Sequence, residues 1–187
     1  MSILIAGLGN IGAEYANTRH NIGFKVLDTL AEMSGISFIS RRYGSVAEMK
    51  FKGKHFILLK PSTYMNLSGK AVSYWLKAQK IDTENLLVVV DDIALPLGTL
   101  RMRKQGSDGG HNGLKSVSEV LGTENYARLR LGIGNRFGLG AQIDYVLGEW
   151  TTQESGELPG ICERAAEAIK SFGTAGIERS MNIFNTK

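Results

Sequence analysis

The apolar and polar positions of this chain change period along its length, and each change marks an element. Ile3-Leu4-Ile5-Ala6 is a short unbroken apolar run, the pattern of a strand covered on both faces. From Ile22 the period lengthens to that of a helix, with Val26, Leu30 and Met33 on one side. Ile36-Ser37-Phe38-Ile39 reads as a strand again and ends in Arg41 and Arg42. Residues 46–51 and 55–60 form a hairpin joined near Gly53. Ala71, Val72, Trp75 and Leu76 make a helical stripe with Ser68 as its N-cap. Leu86-Leu87-Val88-Val89-Val90 is the run of a buried central strand, and it stops at Asp91-Asp92. Residues 99–103 alternate, with Leu100 and Met102 opposite Arg101 and Arg103. Leu114, Val117 and Leu121 form another helical stripe, and residues 127–134 alternate once more, Arg128 and Arg130 opposite Leu129 and Leu131. The pattern predicts a strand over 143–147, a helix over 158–172 and a short last helix through Ile177, Met181 and Phe184. Strands and helices alternate throughout, with no repeat or low-complexity linker, so residues 1–187 are expected to be one α/β domain.

Composition narrows the class. Of 187 residues, 43% are hydrophobic and 21% charged, as in an ordinary globular protein. A net charge of +4 and a pI near 9.2 favour an anionic partner. The single cysteine, Cys162, allows no internal disulfide and fits a reducing compartment. No apolar run reaches membrane-spanning length and no leader is recognisable, so a cytoplasmic location is expected.

The chemistry lies in the loops after the strands. Gly7, Gly9 and Gly12 spell G-x-G-x-x-G, the dinucleotide fingerprint. That motif needs a helix to open within it, so that its N-terminus meets a pyrophosphate. Here the helical period begins only at Ile22, after Asn10, Glu14, Tyr15, Asn17, Thr18, Arg19, His20 and Asn21. Arg41 and Arg42, standing where an acid would bind a ribose, leave an NADP reading open. His20 falls at the helix start, with Asn17 or Thr18 as candidate caps, and is either a general base or a surface capping group. Asp91 ends the central strand, where open α/β sheets bind ligands. It either orients an imidazole or is a turn aspartate, and Asp92 points the other way. Asn10, Asn66 and Asn112 stand in loops, where an amide can donate to a developing oxyanion or simply form a turn. His111 either contacts substrate or, the commoner fate of a loop histidine, packs against its own turn, and His55 reads as structural. Arg101, Arg103, Arg128 and Arg130, with Lys104, make either a phosphate-binding face or the solvated side of a sheet. There is no G-x-S-x-G, no H-E-x-x-H and no paired-cysteine spacing, and Gly69-Lys70 lacks both the first glycine and the Ser/Thr of a P-loop. A base, an orienting acid and several amides suit attack by an activated water.

Five stretches carry a resemblance: GLGNIGAEYANTRHNIGF, PSTYMNLSGKAV, VVVDDIALPLG, GGHNGLKS and RLRLGIG. In this order and spacing, over nearly the whole length, the chain resembles the bacterial-type peptidyl-tRNA hydrolases. The resemblance implies cleavage of the ester joining a peptide to the terminal ribose of tRNA, without metal or organic cofactor. It makes His20 the base and Asp91 its orienting partner. Asn10 and Asn66 would place the substrate carbonyl and peptide backbone, and Asn112 the substrate end near the tRNA terminus. Tyr15, Tyr64 and Met65 match positions lining the same cleft, and Arg103 and Arg130 those that clamp the 5′ phosphate of the acceptor stem. The implied fold is a monomeric α/β domain, a twisted mixed and largely parallel sheet flanked by helices. Ile11 stands where the family usually has proline and Ala94 where it often has a second acid, and residues 136–143 and the C-terminal region match less closely. Two other readings remain: an RNA-binding relative that kept the fold and lost the reaction, and an NADP-binding oxidoreductase.

Overall fold

In the computed structural model, which describes residues 1–185, β1 (Ser2–Gly7) runs through the middle of a seven-stranded mixed sheet. On one side of it lie β4 (Lys54–Pro61), β3 (Gly44–Phe51) and β2 (Ile39–Arg41). On the other lie β5 (Leu86–Asp92), β7 (Ala127–Gly132) and β6 (Leu100–Arg103). The four central strands β4, β1, β5 and β7 are parallel, and β3, β2 and β6 pair antiparallel at the two margins.

The unbroken apolar runs reflect cover on both faces. Ile3, Ile5, Leu87, Val89 and Leu129 point to one side, where they pack with α1 (Ile22–Met33) and α5 (Thr152–Ala175). Leu4, Ala6, Val88 and Val90 point to the other, toward α2 (Ser68–Ala78) and α3 (Asn112–Leu121). Each of the leucines, isoleucines and valines contributes roughly 1.5–3 kcal/mol when fully buried. The glycine triplet has its explanation here. A Cβ on Gly7 would lie 2.5 Å from the Gly23 carbonyl oxygen, and one on Gly23 would lie 2.7 Å from the Leu8 nitrogen. Gly7 therefore lets α1 pack closely on the end of β1. Because that helix opens at Ile22, well beyond Gly12, the dinucleotide arrangement does not form.

Two sequence-based elements need correction. Residues 143–147 are not a strand: α4 (Gln142–Val146) is helical, with Tyr145 and Leu147 donating to the Ala141 and Ile143 carbonyls. Of the run at 36–39 only Ile39 pairs in the sheet, while Ile36 and Phe38 lean on the α1–α5 core. The caps also move. A 3₁₀ turn, Arg19–Asn21, precedes α1, whose N-cap position is Asn21, and Ser68 is the first residue of α2, its hydroxyl donating to the Met65 carbonyl.

The short helix α6 (Ile177–Phe184) packs on α5 and β6. Just beyond it, the Asn185 side chain accepts from the Met102 N–H (2.7 Å) and donates to the Met102 carbonyl (2.8 Å). Among the described residues no helix is long and apolar enough to cross a membrane.

Candidate active site

The site forms beyond the carboxyl ends of β1 and β5. Leu8 extends β1 by donating to the Val89 carbonyl, and the chain then turns at Asn10. Asn21 holds that turn with both ends of its amide. Its Oδ1 accepts from the Asn10 N–H (2.8 Å) and its Nδ2 donates to the Asn10 carbonyl (2.9 Å). The Asn10 side chain is pinned in turn, its Oδ1 accepting from the Met65 N–H at 2.7 Å. That bond fixes which way the amide faces, and Asn10 Nδ2 keeps no protein partner among the described residues.

Asp91 is the centre of the arrangement. It is 4% exposed, and both of its oxygens lie 2.9 Å from His20 Nδ1. A second imidazole meets it, with His111 Nε2 2.8 Å from Oδ1. His20 precedes α1 on one face of the sheet and His111 caps α3 on the other, so the two rings converge just past the strand end, their centroids 5.0 Å apart. His111 Nδ1 accepts from the Gly113 and Leu114 N–H groups, so its proton must be on Nε2, pointing at Asp91. A carboxylate accepts, so His20 likewise carries its proton on Nδ1 and turns the lone pair of Nε2 outward. Burial alone would raise the Asp91 pKa. The imidazoles of His111 and His20 outweigh it and hold the carboxyl well below the usual range.

A cavity of about 90 Å³ lies over these groups, with His20, Asp91, His111, Asn112, Arg130 and Ile143 among its walls. That is room for roughly three waters. The ligand atoms of His20, Asp91 and His111 lie within 4.8 Å of one another, a spacing that could hold a cation. A metal on His111 Nε2 would have to displace its proton while the other nitrogen goes on accepting from the backbone. Metal-bound histidines instead donate through that second nitrogen, so the set is better suited to a hydrogen-bonded relay.

The profile of the family described as peptidyl-tRNA hydrolase matches residues 4–187. The chain belongs to the peptidyl-tRNA hydrolase family. It is 55% identical over 187 residues to the peptidyl-tRNA hydrolase of Cytophaga hutchinsonii, covering all of both chains. It is 57% identical over 187 residues, again all of both chains, to that of Phocaeicola vulgatus. The crystal structure of the Acinetobacter baumannii peptidyl-tRNA hydrolase superposes with a TM-score of 0.92 at 34% identity, covering 98% of this chain and 94% of that one.

Within this peptidyl-tRNA hydrolase fold, His20, Asp91, Asn112 and Arg130 are gathered around one cavity. Asn10 is not in that cavity's wall; it is tied to the turn at Met65–Leu67, beside which Tyr64 (54% exposed) and Asn66 are exposed. Met65 itself is buried in the α2–α3 core, and its backbone N–H donates to Asn10. Tyr15 is half-buried in the 3₁₀ turn Ala13–Tyr15, its carbonyl accepting from the Thr18 hydroxyl.

The four arginines do share one face, since Arg101 pairs across from Arg130 and Arg103 from Arg128. They have different fates. Arg103 is exposed and lies outside the cavity. Arg130 donates to the Ser107 carbonyl and faces Asp92 at 3.6 Å. Arg128 does not belong to a solvated basic face: it is 0% exposed and donates to the carbonyls of Gly106, Ser107, Glu124 and Tyr126.

The sequence does not show three partnerships. His111 packs on its own turn with one nitrogen, as expected, and the other serves Asp91. Asn21 and Arg19 flank His20, and their partners lie in segments that no local pattern links to them.

Proposed function

We propose that this enzyme hydrolyses the ester between peptide and tRNA in peptidyl-tRNA, with His20 activating the attacking water. The observation that carries the reading is the buried Asp91 carboxylate on His20 Nδ1, which leaves Nε2 as a free acceptor at the cavity. In the proposed step, a water gives its proton to His20 Nε2 as its oxygen adds to the ester carbonyl. Asp91 stabilises the imidazolium that forms and keeps the ring oriented. The Asn10 Nδ2 donates to the developing oxyanion. The tetrahedral intermediate then breaks its bond to the ribose oxygen, which takes the proton back from His20. Atoms and charge balance without a metal or organic cofactor.

Asn66 and Asn112 hold the peptide backbone and the substrate end, with Tyr15, Tyr64 and Met65 shaping the cleft. Arg103 and Arg130 bind the 5′ phosphate of the acceptor stem, which continues the basic face away from the cavity. The enzyme is read as a cytoplasmic monomer.

The test is release of N-acetyl-aminoacyl groups from tRNA, run beside unblocked aminoacyl-tRNA. Wild type should release only the blocked form, and His20→Ala should lose about 10²–10⁴-fold of that activity with its fold intact. Near-normal turnover in the variant would remove His20 as the base. Tight tRNA binding by wild type without release would instead mark an RNA-binding relative.

A further inference from the structure

The residue before His20 faces away from the cavity and into the segment that roofs it. Arg19 is 7% exposed, although it carries a charge at the surface end of the sheet. Its backbone N–H donates to the Gly148 carbonyl and Thr18 bridges to Glu149, so the turn and the roof segment are in direct contact. Its guanidinium does more. Nη1 donates to the Tyr145 carbonyl at 3.0 Å, Nη2 pairs with Glu154 at 2.9 Å, and the group lies 4.1 Å over the Tyr145 ring. The Tyr145 hydroxyl continues the chain of contacts to the Ile133 carbonyl at 2.6 Å.

α4 needs such anchorage. It has five residues and none of them is buried. A helix this short has no stability of its own, so its position comes from what holds it. Yet it supplies Gln142, Ile143 and Val146 to the wall of the cavity that contains His20. The same oxygen of Glu154 that meets Arg19 also accepts from the Thr151 N–H and completes the capping box that starts α5. One guanidinium thus joins the catalytic turn, the roof helix and the head of the next helix. Space is tight: a Cβ on Gly148 would lie 2.9 Å from Arg19 Nη1.

We infer that Arg19 is a positioning residue, which locks α4 against the turn of His20 and so sets how the cavity closes over the reacting ester. It acts through α4 and does not touch substrate. The inference rests on the reading of His20 as the base, because only then does closure at this cavity govern the chemical step.

The experiment compares Glu154→Gln, Arg19→Lys and Arg19→Ala with wild type. Glu154→Gln keeps an oxygen for the Thr151 N–H and removes only the charge that faces Arg19. Each variant is assayed for kcat and KM on N-acetyl-aminoacyl-tRNA, and amide hydrogen exchange is followed across the chain. Loss of the lock should lower kcat by between about ten- and 100-fold with KM held, because a small misplacement of reacting groups is expensive. Exchange should speed up at residues 144–148 and stay unchanged in the central strands. Arg19→Lys should recover part of what Arg19→Ala loses. Unchanged exchange at 144–148 would overturn the inference. So would a rise in KM at constant kcat, normal kcat despite faster exchange there, or faster exchange spread over the whole sheet. Exchange reads the lock without any turnover, so a failure of the His20 assignment, seen as an active His20→Ala, is recognised separately.

Discussion

At Asp91 two imidazole N–H groups repay the burial of a carboxylate, and this sets how the residue responds to substitution and to acid. Asp91→Asn keeps the volume but presents an NH₂ to one of two groups that both need an acceptor, so the His20 tautomer is no longer fixed. Turnover should fall by about 10⁴-fold, as when the acid of a triad is neutralised. The same pair contributes to stability. The folded pKa of Asp91 lies below the unfolded value, near 3.9, so its contribution is fully present above about pH 5 and is lost as pH falls through the folded value. In urea unfolding the stability gap between wild type and Asp91→Asn should be open at pH 7 and narrow below about pH 4. A gap that widens in acid would contradict this. The positions of His20 and Asp91 were legible, because a helix start and the end of a buried strand can both be read from periodicity. The partnership with His111 was not. The sequence places that histidine correctly at the head of a helix, but nothing local says that its far nitrogen reaches a strand on the other side of a crossover.

The paired strands β6 and β7 show how far an alternating pattern can be read. Alternation gave the correct face for Arg101, Arg103, Arg128 and Arg130, since the register sets them opposite one another. It did not give depth, because burial of Arg128 depends on the loop before α3 folding down over it and offering its carbonyls. The two kinds of arginine should therefore separate experimentally. Arg128→Met takes a donor from four carbonyls, of which Ser107 and Glu124 keep another, and should cost roughly 1–3 kcal/mol in urea unfolding for each carbonyl it strands. Arg103→Ala and Arg130→Ala should leave the fold standing and each lower the salt slope of tRNA binding by about one. An unchanged slope in both would remove the proposed clamp. The strand expected at 143–147 failed for a related reason. Five residues cannot distinguish a period of two from one of 3.6 when both ends are apolar.

At the scale of the molecule, the order of the strands does most of the work. β1 lies between β4 and β5: the chain leaves it through α1 on one face and returns from β4 to β5 through α2 on the other, and the loops after β1 and β5 open onto a common crevice. The alternation of elements made the α/β class legible, and the close fit of Gly7 to Gly23 shows why a glycine triplet after the first strand need not signal a nucleotide. Strand order itself was not legible, because nothing local records which strands become neighbours. The margin of the sheet carries a separate consequence. β6 is an edge strand, and on its open side Met102 presents an N–H and a carbonyl that the Asn185 amide satisfies as a neighbouring strand would. At Met102 a single side chain thus does what an eighth strand would do, beside α6, which also packs on β6. Asn185→Ala would uncover a template for pairing between molecules, and sedimentation should then show association that grows with concentration while the rate per active site stays at its wild-type value. The resistance of this enzyme to clumping in a crowded cell would then depend on an amide with no part in the chemistry.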